Sequence, residues 1–336
     1  MASADLAAAE AVLVRRVCGL GDLVLSIPWL RALRHLHGGA PIHVLCHGEH
    51  ARLLLELGLA DAAFPEEGSG WHSLHHGSVP HPPVPLRPDP LSYRRVYLFC
   101  ADPQGALPSC LKASMGDKVV ALPARPAQSH PEHAAMLPFR VMGLETGPCE
   151  LSRLASISFP ENQDGLQRGL EHPLFLIHPG SGSPLKNWPP QRFSALMRTI
   201  CAMWPRSRLA LIAGPADQAP VKGLLDSWSG QLPVLSPPTL TALVRELGRA
   251  SLLVGNDSGV THLAASLGVP TLAIFGPSDP IIWAPLGPRT RVALGTAACG
   301  PCHGTPEALA CQVPCHRFPS VEEAWEELQA LMEWPQ

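Results

Sequence analysis

Short apolar runs of strand length alternate with segments of helical period along most of the chain, and this alternation limits the fold more than any other feature. Two consecutive strands can lie parallel in one sheet only if a dozen or more residues carry the chain back, and an intervening helix does that. The sequence therefore predicts an α/β fold built from βα units on parallel sheets. In the first half residues 11–17, 42–46, 96–100 and 118–122 read as strands, with a helix over 23–36. In the second half 174–177, 209–213, 252–254 and 271–275 read as strands, with a helix marked by Phe193, Leu196, Met197 and Ile200. The stretch 149–173 lacks periodicity and separates two domains, 1–165 and 166–317. A last helix, within 318–336, starts at Ser320, with Glu323 placed to complete a capping box and Trp325, Leu328 and Met332 on one face.

Composition narrows the function. No apolar run approaches the roughly 20 residues of a membrane span. With 25 basic and 28 acidic residues the net charge is -3, too little positive field to hold a nucleic-acid backbone. Asp5 and Glu10 interrupt the Ala-rich start and no basic segment precedes it, so a secretory signal is not expected and the chain is placed in the cytoplasm. Its ten cysteines then read as thiols rather than a disulfide framework. Residues 66–93 are crowded with proline, glycine and histidine, which predicts a surface loop without helix.

Three strand-end loops carry the chemistry. Gly19-Leu20-Gly21-Asp22 follows the first strand, where open α/β sheets bind ligands. Its glycines permit a sharp turn and close approach. On this segment alone Asp22 reads as a helix N-cap, and a dinucleotide fingerprint fails because Val24 stands where glycine is required. The second loop, His178-Pro179-Gly180-Ser181-Gly182-Ser183, offers backbone N–H groups, hydroxyls and the nearby Lys186 to phosphate oxygens. The third, Gly255-Asn256-Asp257-Ser258-Gly259-Val260-Thr261-His262, opens a helix whose first N–H groups and dipole suit a diphosphate, with Asp257 or Ser258 as cap. Ser258 lacks the setting of a nucleophile, and His262 has no ligand partner at helical spacing.

These loops, with Val12 to Leu33, Trp188, His262-Leu263-Ala264 and Phe275-Gly276-Pro277, occur in an order that resembles glycosyltransferase family 9, the ADP-heptose:lipopolysaccharide heptosyltransferases. The resemblance implies a GT-B fold, with an acceptor-side first domain, a nucleotide-sugar-binding second domain and a final helix packing back toward the first. It implies inverting, metal-independent transfer of a heptose from a nucleotide diphosphate, ADP-heptose, to a lipopolysaccharide core acceptor. Asp22 would be the general base, outweighing its reading as a cap. Ser181, Lys186, Asp257, Ser258, Gly259, Thr261 and His262 would hold the donor, with Gly19, Gly21 and Gly180 as loop glycines. Arg31 and Arg34 would meet acceptor phosphates, and peripheral contact with the inner membrane would follow from the acceptor. No cofactor is implied. An epimerase or hydrolase using the same donor without an acceptor, or a non-catalytic sugar-nucleotide-binding protein, is the competing reading.

Cys299-Gly300-Pro301-Cys302-His303 followed by Cys311 and Cys315 stands apart. Haem attachment requires export, a thioredoxin-like site lies early in a small domain, and a zinc site on Cys299, Cys302, Cys311 and Cys315 is cramped. Reduced thiols in a packed loop are the expected state, with metal binding as the minor alternative.

Overall fold

The structure, a computed structural model, describes residues 10–76, 85–127, 132–158, 172–297, 299–302 and 315–333. The chain divides into two compact units, Met1–Leu154 and Ala155–Gln336. The first contains β1 (Val12–Arg15), β2 (Ile42–Cys46), β3 (Ala62–Pro65), β4 (Arg95–Cys100) and β5 (Val119–Pro123), in the order β3-β2-β1-β4-β5. The second contains β6 (Leu174–His178), β7 (Arg208–Ile212), β8 (Val234–Leu235), β9 (Leu252–Asn256), β10 (Thr271–Ile274) and β11 (Thr290–Ala293), in the order β11-β10-β9-β6-β7-β8. Every pairing is parallel. Val12, Leu13 and Val14 of β1 and Leu252, Leu253 and Val254 of β9 are fully buried. Parallel strands covered by helices on both faces require such unbroken apolar runs.

Each sheet reverses its strand order once, between β1 and β4 in the first unit and between β6 and β9 in the second. At such a reversal the connections leave to opposite faces, opening a crevice at the carboxyl ends of the two strands. The loops after β1, β6 and β9 therefore start where a ligand can enter. The β6–β9 register pairs His178 with Gly255, which sets the second and third loops side by side.

Two expectations need correction. The helix expected over 23–36 is two helices, Leu20–Val24 and Ile27–Leu36, because Pro28 sits in the first turn of the second and has no N–H to continue the first. The proline-rich stretch is not wholly a surface loop. A 3-10 helix, Trp71–His76, buries Trp71 and Leu74 in the first core, and Trp71 Nε1 donates to the Pro88 carbonyl at 3.0 Å. Residues 77–84 of that stretch lie outside the described residues.

The last helix, Val321–Met332, begins with the expected capping box: Glu323 N donates to Ser320 Oγ at 3.1 Å and Ser320 N to Glu323 Oε2 at 2.7 Å. Its buried face packs within the second unit. Ala324, Leu328 and Leu331 belong to the core of the second, and Trp325 lies 5.8 Å from the Trp204 ring. The cause lies upstream, where Trp188 Nε1 and Arg192 Nη1 both donate to the Pro319 carbonyl, at 3.0 and 2.8 Å. Phe318 crosses against Gly276, where a Cβ would come within 2.5 Å of its ring. The chain reaches Ser320 already fixed to the second sheet.

Candidate functional site

In the second unit the β6 and β9 loops are bound into one cradle. Asn256, fully buried at the end of β9, donates from Nδ2 to the Pro179 carbonyl at 2.8 Å and accepts the Trp188 N–H on Oδ1 at 3.0 Å. One amide thus ties both ends of the Gly/Ser loop to β9. Ser181 Oγ lies 2.6 Å from the Ser183 carbonyl and 2.7 Å from Asn187 Oδ1, so its hydroxyl shapes the loop from within.

Lys186, Asp257 and His262 form a charge cluster on this cradle. Lys186 Nζ donates to Asp257 Oδ2 at 3.0 Å, and His262 Nε2 lies 3.7 Å from Asp257 Oδ1. Burial favours the neutral acid, but His262 and the Lys186 charge outweigh it and hold the Asp257 carboxyl well below the usual carboxylate range. The lysine remains 16% exposed in its side chain, whereas Asp257 is 7% exposed. The cluster thus presents its cation outward and its carboxylate inward. His262 Nδ1 is buried with no hydrogen-bond partner among the described residues.

Ser258, not Asp257, caps the helix Gly259–Ser266, accepting the Thr261 N–H on Oγ at 3.3 Å. Thr261 Oγ1 in turn donates to the Asn256 carbonyl at 2.6 Å, so Thr261 is committed to the turn. The first-turn N–H groups of Gly259 and Val260, both partly exposed, have no acceptor within the helix. N–H groups left free at a helix start can receive an anion.

Two residues outside the expected set complete the cradle. His178 places Nδ1 3.1 Å from Ser258 Oγ and Nε2 3.1 Å from Asp217 Oδ2. Asp217 also accepts the Gly214 N–H at 2.6 Å. The Asp217 carboxylate fills the space beside Gly180, where a Cβ would lie 1.8 Å from Oδ1. Gly180 is therefore required by a neighbouring side chain and not by an unusual backbone. Asp217 follows β7, the strand next to β6, and the strand order was the signal that could have found it.

In the first unit Gly19, not Asp22, is the N-cap of the helix Leu20–Val24, and no side chain completes that cap. Asp22 lies inside the first turn, so its reading as a cap is removed. Neither Gly19 nor Gly21 has a left-handed backbone, and a Cβ at Gly19 would approach nothing closer than Asp22 Oδ2 at 3.8 Å. Gly19 keeps space open rather than permitting a turn. Arg16, which the sequence did not single out, organises the loop. It donates to Ser26 Oγ at 3.0 Å and to the Asp22 and Ala124 carbonyls at 3.3 Å, and its guanidinium carbon lies 4.5 Å from the Phe99 ring centroid. Only its Nη2 approaches the Asp22 carboxylate, at 3.9 Å, and that side chain is 22% exposed. Burial pushes the neighbouring Cys18 thiol up to about 12, so it stays protonated.

The arginines expected to face the acceptor have other partners. Arg34 holds Asp61 through two bonds, at 2.7 and 3.2 Å, while Asp61 accepts the Ile42 N–H. Asp61 immediately precedes β3 and Ile42 begins β2, so Arg34 sits at the amino ends of the strands, whereas Asp22 follows a carboxyl end. Arg31 Nη1 donates to the Leu154 carbonyl at 2.6 Å. Cys299 is exposed, Cys302 partly buried and Cys315 buried; Cys311 lies outside the described residues. Among the described residues no group of three or more His, Cys, Asp or Glu side chains could hold a metal, and no helix is long and apolar enough to cross a membrane.

The sequence profile of glycosyltransferase family 9 (heptosyltransferase) matches residues 121–312. Lipopolysaccharide heptosyltransferase 1 of Pseudomonas aeruginosa is 33% identical over 130 residues, 38% of this chain and 36% of that protein. The alignment thus spans little more than a third of that curated relative. Among solved structures, ADP-heptose LPS heptosyltransferase II of E. coli superposes with a TM-score of 0.68 at 20% identity, covering 96% of this chain and 98% of that one. The family 9 glycosyltransferase of Veillonella parvula does so with a TM-score of 0.70 at 19% identity, covering 96% and 97%. These likenesses establish a GT-B fold of two Rossmann-like domains. With the profile covering more than half of its length, the chain belongs to glycosyltransferase family 9.

Proposed function

We propose that the protein is an inverting, metal-independent glycosyltransferase that moves a heptose or related sugar from ADP-heptose to a lipopolysaccharide core acceptor. The second unit would hold the donor and the first the acceptor. The observation that carries this reading is the cluster in which Lys186 stands outward over Asp257 and His262, beside the N–H groups of Gly259 and Val260. A diphosphate is the anion that a partly exposed lysine and free N–H groups at one helix start suit. The family and its relatives' names supply the sugar and the acceptor class.

In the reaction the acceptor hydroxyl attacks the anomeric carbon while the bond from that carbon to the diphosphate oxygen breaks. The hydroxyl proton goes to the Asp22 carboxylate and the electron pair leaves with the diphosphate. Asp22 suits a base because its carboxylate is partly exposed and only loosely approached by Arg16. Lys186 and the helix N–H groups meet the charge growing on the leaving group, the task a divalent cation performs in other transferases. Such an enzyme works in the cytoplasm, at the inner face of the membrane that carries its acceptor.

The test is product analysis with ADP-heptose, with and without a lipopolysaccharide core acceptor. Transfer that requires the acceptor is expected. Donor turnover that is indifferent to the acceptor would replace this reading by hydrolysis or epimerisation.

A further inference from the structure

Ser258 was expected among the residues that hold the donor, but its hydroxyl is already surrounded by protein groups. It is buried and lies 3.1 Å from His178 Nδ1, 3.0 Å from Thr261 Oγ1 and 3.3 Å from the Thr261 N–H. Its contribution to an anion must pass through the cap it forms and through the direction in which the next N–H groups point. Whatever fixes Ser258 Oγ then fixes the anion site.

We propose that Asp217 and His178 are positioning residues for the donor diphosphate: Asp217 locks the His178 ring, and His178 holds the Ser258 cap so that the Gly259 and Val260 N–H groups face the anion. Three strand ends contribute, Asp217 after β7, His178 at the end of β6 and Ser258 after β9, so the chain of contacts spans the switch point. All three side chains are buried, which limits alternative partners and rotamers. The two Asp217 oxygens are both engaged, Oδ2 by His178 and Gly214, and Oδ1 by its packing against Gly180. Burial favours the neutral acid, but the hydrogen bond with His178 and the Gly214 N–H outweigh it and hold the Asp217 carboxyl below its usual range, so it can accept a hydrogen bond from Nε2. Turning the ring would remove one of the two hydrogen bonds that hold this buried carboxylate and leave it to the Gly214 N–H, a costly loss. A cap fixed before the ligand arrives costs no reorganisation on binding.

The inference rests on the second unit's being the nucleotide site, and the test separates the two. Calorimetry with ADP and with adenosine compares the parent protein, Asp217→Asn, Ser258→Ala and the double variant. Asp217→Asn keeps the shape beside Gly180. It should weaken ADP about tenfold and leave adenosine within about twofold, because only the phosphates use the cap. In the Ser258→Ala background the same change should cost less than about twofold, since its effect acts through Ser258. Equal losses for ADP and adenosine, or losses that add in the double variant, would overturn the proposal.

A second readout needs no ligand. In nitrogen-15 spectra of the free protein, with His178 assigned from His178→Gln, Nε2 should carry a proton, and Asp217→Asn should shift its resonance. A bare Nε2 in the parent protein would overturn the pair. If neither ADP nor any ADP-sugar binds the parent protein, the nucleotide reading falls, and the ring spectrum still decides whether Asp217 governs His178.

Discussion

The loops after β1 and β6 occupy equivalent places, each leaving the first strand of a Rossmann-like sheet at its reversal point, yet they are built in opposite ways. After β6 neighbouring side chains hold the loop: Asn256 ties it to β9, Asp217 fills the space beside Gly180, and Lys186 is anchored on a buried carboxylate. After β1 the backbone is held by Arg16 through carbonyls and Ser26, while the Asp22 carboxylate stands 3.9 Å from its nearest cation. A rigid, prepaid field suits a leaving group whose charge appears always in the same place. A loosely paired carboxylate suits a group that must exchange a proton with an incoming hydroxyl.

The largest effect that could break this contrast is in Asp22→Asn. Asparagine is tolerated inside the first helical turn but cannot take the proton, so kcat should fall by about 10²- to 10⁴-fold. Nucleotide affinity should stay unchanged, because the proposed donor contacts lie in the other unit. Parent-like turnover at saturating donor and acceptor would return Asp22 to a structural role.

Next comes Lys186→Gln, which should weaken ADP about 10- to 100-fold by calorimetry. The same change bears on acid stability. Asp257 has a depressed carboxyl in the folded state, so its contribution is present above the ordinary value of 3.8 and is lost as pH falls below it. Without the Lys186 charge less of that contribution remains, and the acid-unfolding midpoint should move to higher pH. An unmoved midpoint would mean that His262 alone holds the carboxylate.

A smaller effect compares the two loop glycines. Gly180→Ala drives a Cβ into Asp217 and should destabilise the fold by about 1–3 kcal/mol, whereas Gly19→Ala meets nothing and should stay within about 0.5 kcal/mol in denaturant titrations. Equal costs would erase the distinction between a filled and an open loop. The smallest expected effect is that of chelation. With Lys186 and helix N–H groups supplying the positive charge, EDTA should leave turnover unchanged, and loss of turnover restored by magnesium or manganese would show that the cradle is incomplete.

Much of this was legible before any coordinates. The βα alternation specified parallel sheets, because strand-length apolar runs separated by helices have few other ways to bury their faces. The Ser320 capping box and the residues of the charge cluster were visible too, since Lys186 and the 255–262 segment lie beside strand ends whose place in such a sheet is general. The break at Pro28 was carried by the sequence but missed in the expected helix over 23–36, since proline inside a helical run lacks the needed donor.

What only the tertiary structure decided are the partnerships between residues distant in sequence. Asp217 lies 39 residues from His178, and the β6–β7 pairing alone brings them together. Arg34 reads as a free surface cation until Asp61 is seen at the same end of the sheet. Likewise the amphipathic pattern of residues 321–332 specifies a buried face but not its partner, which was settled by Trp188 and Arg192 gripping Pro319. Local pattern fixes which atoms must be buried or bonded, because periodicity and capping act within a few residues. Which atoms meet that requirement depends on strand order and on the side chains already there, and that is decided only when the whole domain packs.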